Sequence, residues 1–202
     1  MTPPESILFE KWMAGRDADA FAEIVANYSG MVFGTCRRIL GNASEAEDVT
    51  QECFIELAQR GAAVKHSLGG WLHTVAVRRS LDRMKSEQRR KGREAHFMAE
   101  SEEAREPTWD DVQVHIDDAI AQLPENLRGP VIMRFLQGQT HEAIAETLDI
   151  PRSTVQHRIA QGLEQVRKVL KKRGILVGSA LLLAMLGSNT ASAAPPALTA
   201  AL

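Results

Sequence analysis

The sequence predicts an all-α protein: two small helical domains joined by an acidic linker, the second a four-helix helix-turn-helix domain, followed by an apolar C-terminal tail. Three observations predict it. Apolar residues recur at helical spacing on both sides of an acidic stretch, from Phe21 to Met84 and from Ile116 to Leu163, and strand-like alternation of β-branched residues is missing. The charges fall in blocks, two basic ones flanking an acidic one. Two short amphipathic segments meet across a joint of a few residues around Asp149, Ile150 and Pro151. A chain of 202 residues accommodates one large or two small domains, and its formal net charge of −2 argues against a uniformly basic nucleic-acid coat.

The first stripe, Phe21, Ile24, Val25, Tyr28, Met31, Val32, Cys36, Ile39 and Leu40, closes at the turn signal Gly41-Asn42. Ser44 with Glu47 three residues on predicts a capping box that opens a second helix, whose inner face holds Val49, Cys53 and Leu57 and which runs to about Arg60. After the Gly61 break and a loop over 65–70, a third helix begins near Trp71 and turns Leu72, Val75, Ala76, Leu81 and Met84 inward. Its outer face belongs to the first basic block: from Lys65 to Arg93 stand Lys65, Arg78, Arg79, Arg83, Lys85, Arg89, Arg90, Lys91 and Arg93 against only Asp82 and Glu87. Residues 94–112 are acidic, poorly periodic and interrupted by Pro107, as a flexible linker is. Ile116, Ile120 and Leu123 open a helix broken at Pro124, and Leu127, Val131, Ile132, Phe135 and Leu136 make another that ends at Gly138.

In 140–163, Ile144, Ala145 and Leu148 form one buried stripe and Val155, Ile159 and Leu163 a second. Pro151 suits a first helical turn, and Asp149 stands where the turn wants a left-handed residue. This is a helix-turn-helix geometry. Arg152, Ser153, Gln156 and His157 project from the second helix, with Thr154 and Arg158 beside them, and can reach base edges or phosphates in a major groove. Any solvated helix carries a polar face, so these residues alone leave DNA reading and plain packing both open.

The remaining chemistry is exclusion. Cys36 and Cys53 are the only cysteines and sit at core-like positions, which argues against a disulfide scaffold or a four-ligand zinc site and fits a reducing cytosol. HEAIAE lacks the second histidine of a metalloprotease helix, Ala145 taking its place. Without a Gly-rich phosphate loop or a nucleophile elbow, no catalytic residue, metal or cofactor is expected, and the protein is not expected to be an enzyme.

Four stretches together resemble the two-domain extracytoplasmic-function class of bacterial RNA polymerase sigma factors: DADAFAEIVANYSGMVF, SEAEDVTQECFIELA, GGWLHTVAVRRSLDRMKSEQRRK and LPENLRGPVIMRFLQGQTHEAIAETLDIPRSTVQHRI. The resemblance covers about residues 17–173, and the order and spacing of four motifs make it specific. It implies a domain over 17–93 that binds core polymerase and recognises and melts the minus-ten element. The linker over 94–112 would thread through the polymerase, and a domain over 113–173 would read the minus-thirty-five element. On this resemblance Asp48, Gln51 and Glu52 face the polymerase clamp, and Trp71, His73, Arg78, Arg79, Arg83, Lys85, Arg89 and Arg90 serve the promoter, where cations neutralise phosphates and an aromatic stacks on an unpaired base. Partners would be core polymerase, promoter DNA and an anti-sigma factor. Two departures stand out: Arg78 where the family commonly has Asn, and Asp149 where it often has Gly.

The tail, 174–202, lies outside that resemblance. Lys171, Lys172 and Arg173 precede an apolar run over 175–187, shorter than the roughly 20 residues a comfortable membrane span needs. A marginal span over 174–194, a helix packed on the domains and a disordered Ala/Pro tail all stay open, so the expected location is the cytoplasm, with or without attachment to a membrane. Two rivals to the sigma reading are a stand-alone helix-turn-helix regulator and a membrane-anchored interaction protein.

Overall fold

A computed structural model describes residues 5–64, 67–95, 109–178, 182 and 186 of the chain. Among them are eight α-helices and one short 3-10 turn. Helix α1 (Glu5–Gly15) precedes α2 (Ala18–Leu40) and α3 (Ala43–Arg60), and the 3-10 turn at Gly61–Ala63 leads on toward α4 (Leu68–Ala95). The second group is α5 (Trp109–Ala121), α6 (Glu125–Phe135), α7 (His141–Leu148) and α8 (Arg152–Lys172).

The Asp17 carboxylate caps α2 by accepting from the Ala20 N–H at 3.0 Å. Gly41 ends the same helix at φ 71°, where a residue with a Cβ would be strained. Ile24, Val25, Tyr28, Val32 and Cys36 are buried against Val49, Cys53, Phe54 and Leu57 of α3 and Leu72, Val75 and Ala76 of α4. Burying a Phe or Leu of this kind stabilises by about 1.5–3 kcal/mol. These three helices therefore form one core from their own stripes.

Several boundaries differ from the sequence-based expectation. Asn42, not Ser44, caps α3: its side-chain oxygen accepts from the Ser44 N–H at 2.9 Å, so the helix starts two residues earlier than a Ser44 cap would allow. Helix α4 begins at Leu68, three residues before Trp71, because the Ser67 hydroxyl accepts from the Gly70 N–H at 3.1 Å. Leu81 and Met84 are half-buried, and Val77 and Ser80 are buried in α4. Helix α5 opens at Trp109, inside the stretch expected to be linker, whose residues 96–108 lie outside the described residues.

Helix α1 was not expected at all. Leu8 and Trp12 are buried, and the indole lies 5.6 Å from the Phe9 ring and 5.2 Å from the Phe21 ring, with the Arg16 guanidinium over it. In the second group, Ile120, Leu123, Val131 and Ile132 pack with Ile144, Val155, Ile159 and Val166. Helix α8 crosses α6 at Gly162, where an added Cβ would stand 2.7 Å from a Val131 methyl. Of the tail beyond Gly178, only Leu182 and Leu186 are described, both helical and buried, so the expectation for the rest lies outside the described residues. Among the described residues no helix is long and apolar enough to cross a membrane.

Candidate nucleic-acid interface

Helices α7 and α8 make the expected helix-turn-helix. The Thr140 hydroxyl caps α7 by accepting from the Ala143 N–H at 3.2 Å. At the other end Asp149 adopts φ 50°, ψ 49°, and the Ile150 N–H reaches back to the Ala145 carbonyl at 3.1 Å. The chain therefore reverses on a left-handed residue that is not glycine, as a short polar side chain allows at some cost. Val155, Ile159, Val166 and Leu170 of α8 are buried, which turns Arg152, Ser153, Gln156 and His157 to solvent and leaves Thr154 and Arg158 half-buried. Arg152 pairs with Glu142 at 2.8 Å, but both side chains are more than half exposed, and such pairs contribute only about 0–1 kcal/mol. The apolar stripe, not this pair, sets how α8 presents its outer face.

The basic face of α4 is less free than its sequence suggests. Arg78 donates to both Glu56 carboxylate oxygens at 2.6 and 2.8 Å, and Arg79 bridges Glu56 at 2.8 Å and Glu52 at 2.6 Å. Arg83 donates to the other Glu52 oxygen at 2.8 Å. Burial pushes the Glu56 carboxyl pKa up, yet the Arg78 and Arg79 guanidinium groups outweigh it and hold the carboxyl below its usual range. Glu52, expected to face the polymerase, is thus bonded to two arginines expected to face DNA. Lys85, Arg89 and Arg90 are exposed farther along α4, with Arg90 also donating to Glu87 at 2.6 Å. Trp71 is half-buried against the core.

On α3, Asp48 is exposed and Gln51 and Glu52 are half-buried. Ile55, one turn on from them, is 49% exposed, an apolar side chain on a polar face. Its spacing from Asp48, Gln51 and Glu52 is visible in the sequence, where it falls outside the Val49, Cys53 and Leu57 stripe.

His73 lies elsewhere than expected. It is fully buried, and its Nε2 stands 3.2 Å from an Asp117 carboxylate oxygen, so in this arrangement it offers no edge to DNA. Arg38 grips the same carboxylate with Nε at 2.7 Å and Nη2 at 2.9 Å. An ionised carboxylate only accepts, so Nε2 of His73 carries the proton, and its buried Nδ1 has no partner among the described residues. Burial pushes the Asp117 pKa up, but the charge and hydrogen bonds of Arg38, then those of His73, bring it down to about 2. Arg38 and Asp117 were not singled out from the sequence. They are 79 residues apart, and no local pattern joins them.

Comparison with known proteins agrees with the four motifs. Residues 24–90 match the family described as Sigma-70 region 2, and residues 114–166 match Sigma-70, region 4. The chain is 29% identical over 170 residues to the ECF RNA polymerase sigma factor SigW of Bacillus subtilis, covering 77% of this chain and 91% of that protein. It is 28% identical over 167 residues to the ECF RNA polymerase sigma factor SigK of Mycolicibacterium vanbaalenii, covering 78% and 85%. Among solved structures, the sigma factor RpoE of Bartonella quintana, crystallised with the anti-sigma factor NepR, aligns over 76% of this chain and 98% of that one, at 18% identity and a TM-score of 0.33.

Proposed function

Because the chain belongs to the ECF sigma factors, which direct transcription initiation by RNA polymerase and are not enzymes, we propose how its surfaces divide that work. The domain over 17–93 docks on the polymerase clamp through Asp48, Gln51 and Glu52 of α3 and holds the minus-ten element along α4. The domain over 113–173 lays α8 in the major groove of the minus-thirty-five element, where Gln156 and His157 meet base edges and Arg152 and Arg158 meet phosphates. The single observation that carries this reading is the exposed polar face at the start of α8, held outward by a buried apolar stripe behind a tight left-handed turn.

The linker over 94–112 passes between the two sites on the polymerase, the protein works in the cytoplasm, and an anti-sigma factor regulates it by covering these surfaces. The test is in vitro transcription with core polymerase. Asp48→Lys is a cleaner probe of docking than a change at Glu52, since among the described residues Asp48 pairs with no arginine, and it should abolish core capture while leaving the fold intact. Gln156→Ala and His157→Ala should each cost about 1–3 kcal/mol on the matched upstream element only. Equal losses on matched and mismatched elements would sink the readout assignment.

A further inference from the structure

Helix α8 ends in a turn that presents one leucine among lysines. Gly174 reverses the chain at φ 80°, and the Ile175 N–H reaches back to the Leu170 carbonyl at 3.0 Å. Arg173 anchors the turn from the other side by donating to the Asp118 carboxylate of α5. In the non-helical segment that follows, Ile175 and Val177 pack against the core, whereas Leu176 between them is 82% exposed, more than any other large apolar side chain among the described residues. Leu176 is thus held outward by the burial of both its neighbours.

Its surroundings are cationic. Glu164, Arg167, Lys168 and Lys171 of α8 form, with residues 175–178, a cleft of about 440 Å³. Arg167 takes up Glu164 at 2.9 Å. Lys168, Lys171 and Lys172 are all exposed, and among the described residues no carboxylate pairs with them.

An exposed apolar side chain beside unmatched cations fits a surface that is anionic outside and apolar beneath. The lysines reach lipid phosphates while their methylene stems and Leu176 enter the boundary with the acyl chains. Duplex DNA would satisfy the lysines but leave the leucine in water. Lys168 also stands about 18 Å along α8 from Gln156, beyond the start of the helix where base edges are read.

We propose that the end of α8 and the Gly174 turn form a peripheral membrane seat, which holds the protein reversibly on an anionic lipid surface through Lys168, Lys171, Lys172 and Leu176. No spanning helix is required, and Leu182 and Leu186 stay buried in the core. Each lysine near such a surface strengthens binding about fivefold at low salt, so three of them with one leucine make a seat and not an anchor. The seat is independent of how the other surfaces divide the promoter.

The test is flotation of the whole chain with lipid vesicles, with neither polymerase nor DNA present. The protein should float with phosphatidylglycerol vesicles at low salt and not with phosphatidylcholine vesicles. Lys168→Glu/Lys171→Glu should weaken partitioning by at least about tenfold, and Leu176→Asp by about fivefold or more. Thermal melts of both variants should match wild type, because the altered side chains are exposed. Raising the salt to about 0.5 M should release the wild type, since screening loosens a surface seat but not an inserted segment. Absence of binding to phosphatidylglycerol, equal binding to phosphatidylcholine, retention at high salt or unaltered partitioning of either variant would each overturn the seat. So would a loss of duplex DNA binding by Leu176→Asp as large as its loss on vesicles, which would give this face to DNA instead.

Discussion

Asp117 is 2% exposed, and its ionisation depends on Arg38 and His73, which makes its effect on stability a function of pH. The folded pKa, about 2, lies below the ordinary aspartate value of 3.8. Its contribution is therefore complete above about pH 4 and is lost as pH falls through about 2, a difference of about 2 kcal/mol. Urea unfolding between pH 5 and pH 2.5 should show this fall in the wild type, and Asp117→Asn, already weaker at neutral pH because Arg38 loses its partner, should lack that share of it. Parallel pH profiles would dismiss the assignment. Asp149 invites the opposite kind of change. At φ 50° it occupies the left-handed region without glycine's freedom. Asp149→Gly should stabilise by up to about 1 kcal/mol and leave promoter choice unaltered, checked by thermal melts alongside transcription from paired templates.

At the scale of elements, the helices with a single apolar stripe were legible. Helices α2, α6, α7 and α8 show Ile24–Tyr28, Leu127–Val131, Ile144–Leu148 and Val155–Ile159 pairs, whose four-residue spacing is the signature of one buried face. Helix α1 was not legible, because Ile7, Leu8, Phe9, Trp12 and Met13 surround it with apolar side chains and mark no one face. Helix starts were missed where two capping residues compete, as Asn42 and Ser44 do. Among the site residues, the outward set on α8 followed from the stripe opposite it, whereas His73 was misplaced because its partner Asp117 is 44 positions away, in another helix. The close crossing of α6 and α8 gives a prediction at this scale. Gly162→Ala gains about 1 kcal/mol of helix propensity but drives a methyl to 2.7 Å from Val131, and overpacking costs about 1–3 kcal/mol. The melting temperature should fall by a few degrees, whereas a rise would show that the crossing relaxes freely.

Across the whole molecule, part of the first basic block is matched from outside the acidic block, with Glu52 and Glu56 of α3 lying against Arg78, Arg79 and Arg83 of α4. Part of the positive charge of α4 is therefore neutralised within its own domain. Binding to a polyanion draws much of its favourable free energy from the small cations it sets loose, and an arginine already matched by a carboxylate displaces few of them. Promoter affinity of the holoenzyme should therefore fall less steeply with salt than a tally of lysines and arginines along α4 implies. Glu52→Gln removes one internal anion and should steepen the plot of log affinity against log salt by about 0.7–0.9, measured by anisotropy at saturating core. An unchanged slope would mean that DNA had already displaced Glu52 from Arg79 and Arg83. If α4 holds promoter DNA as proposed, pairing its arginines with glutamates at home sets that grip more by fit than by ionic strength.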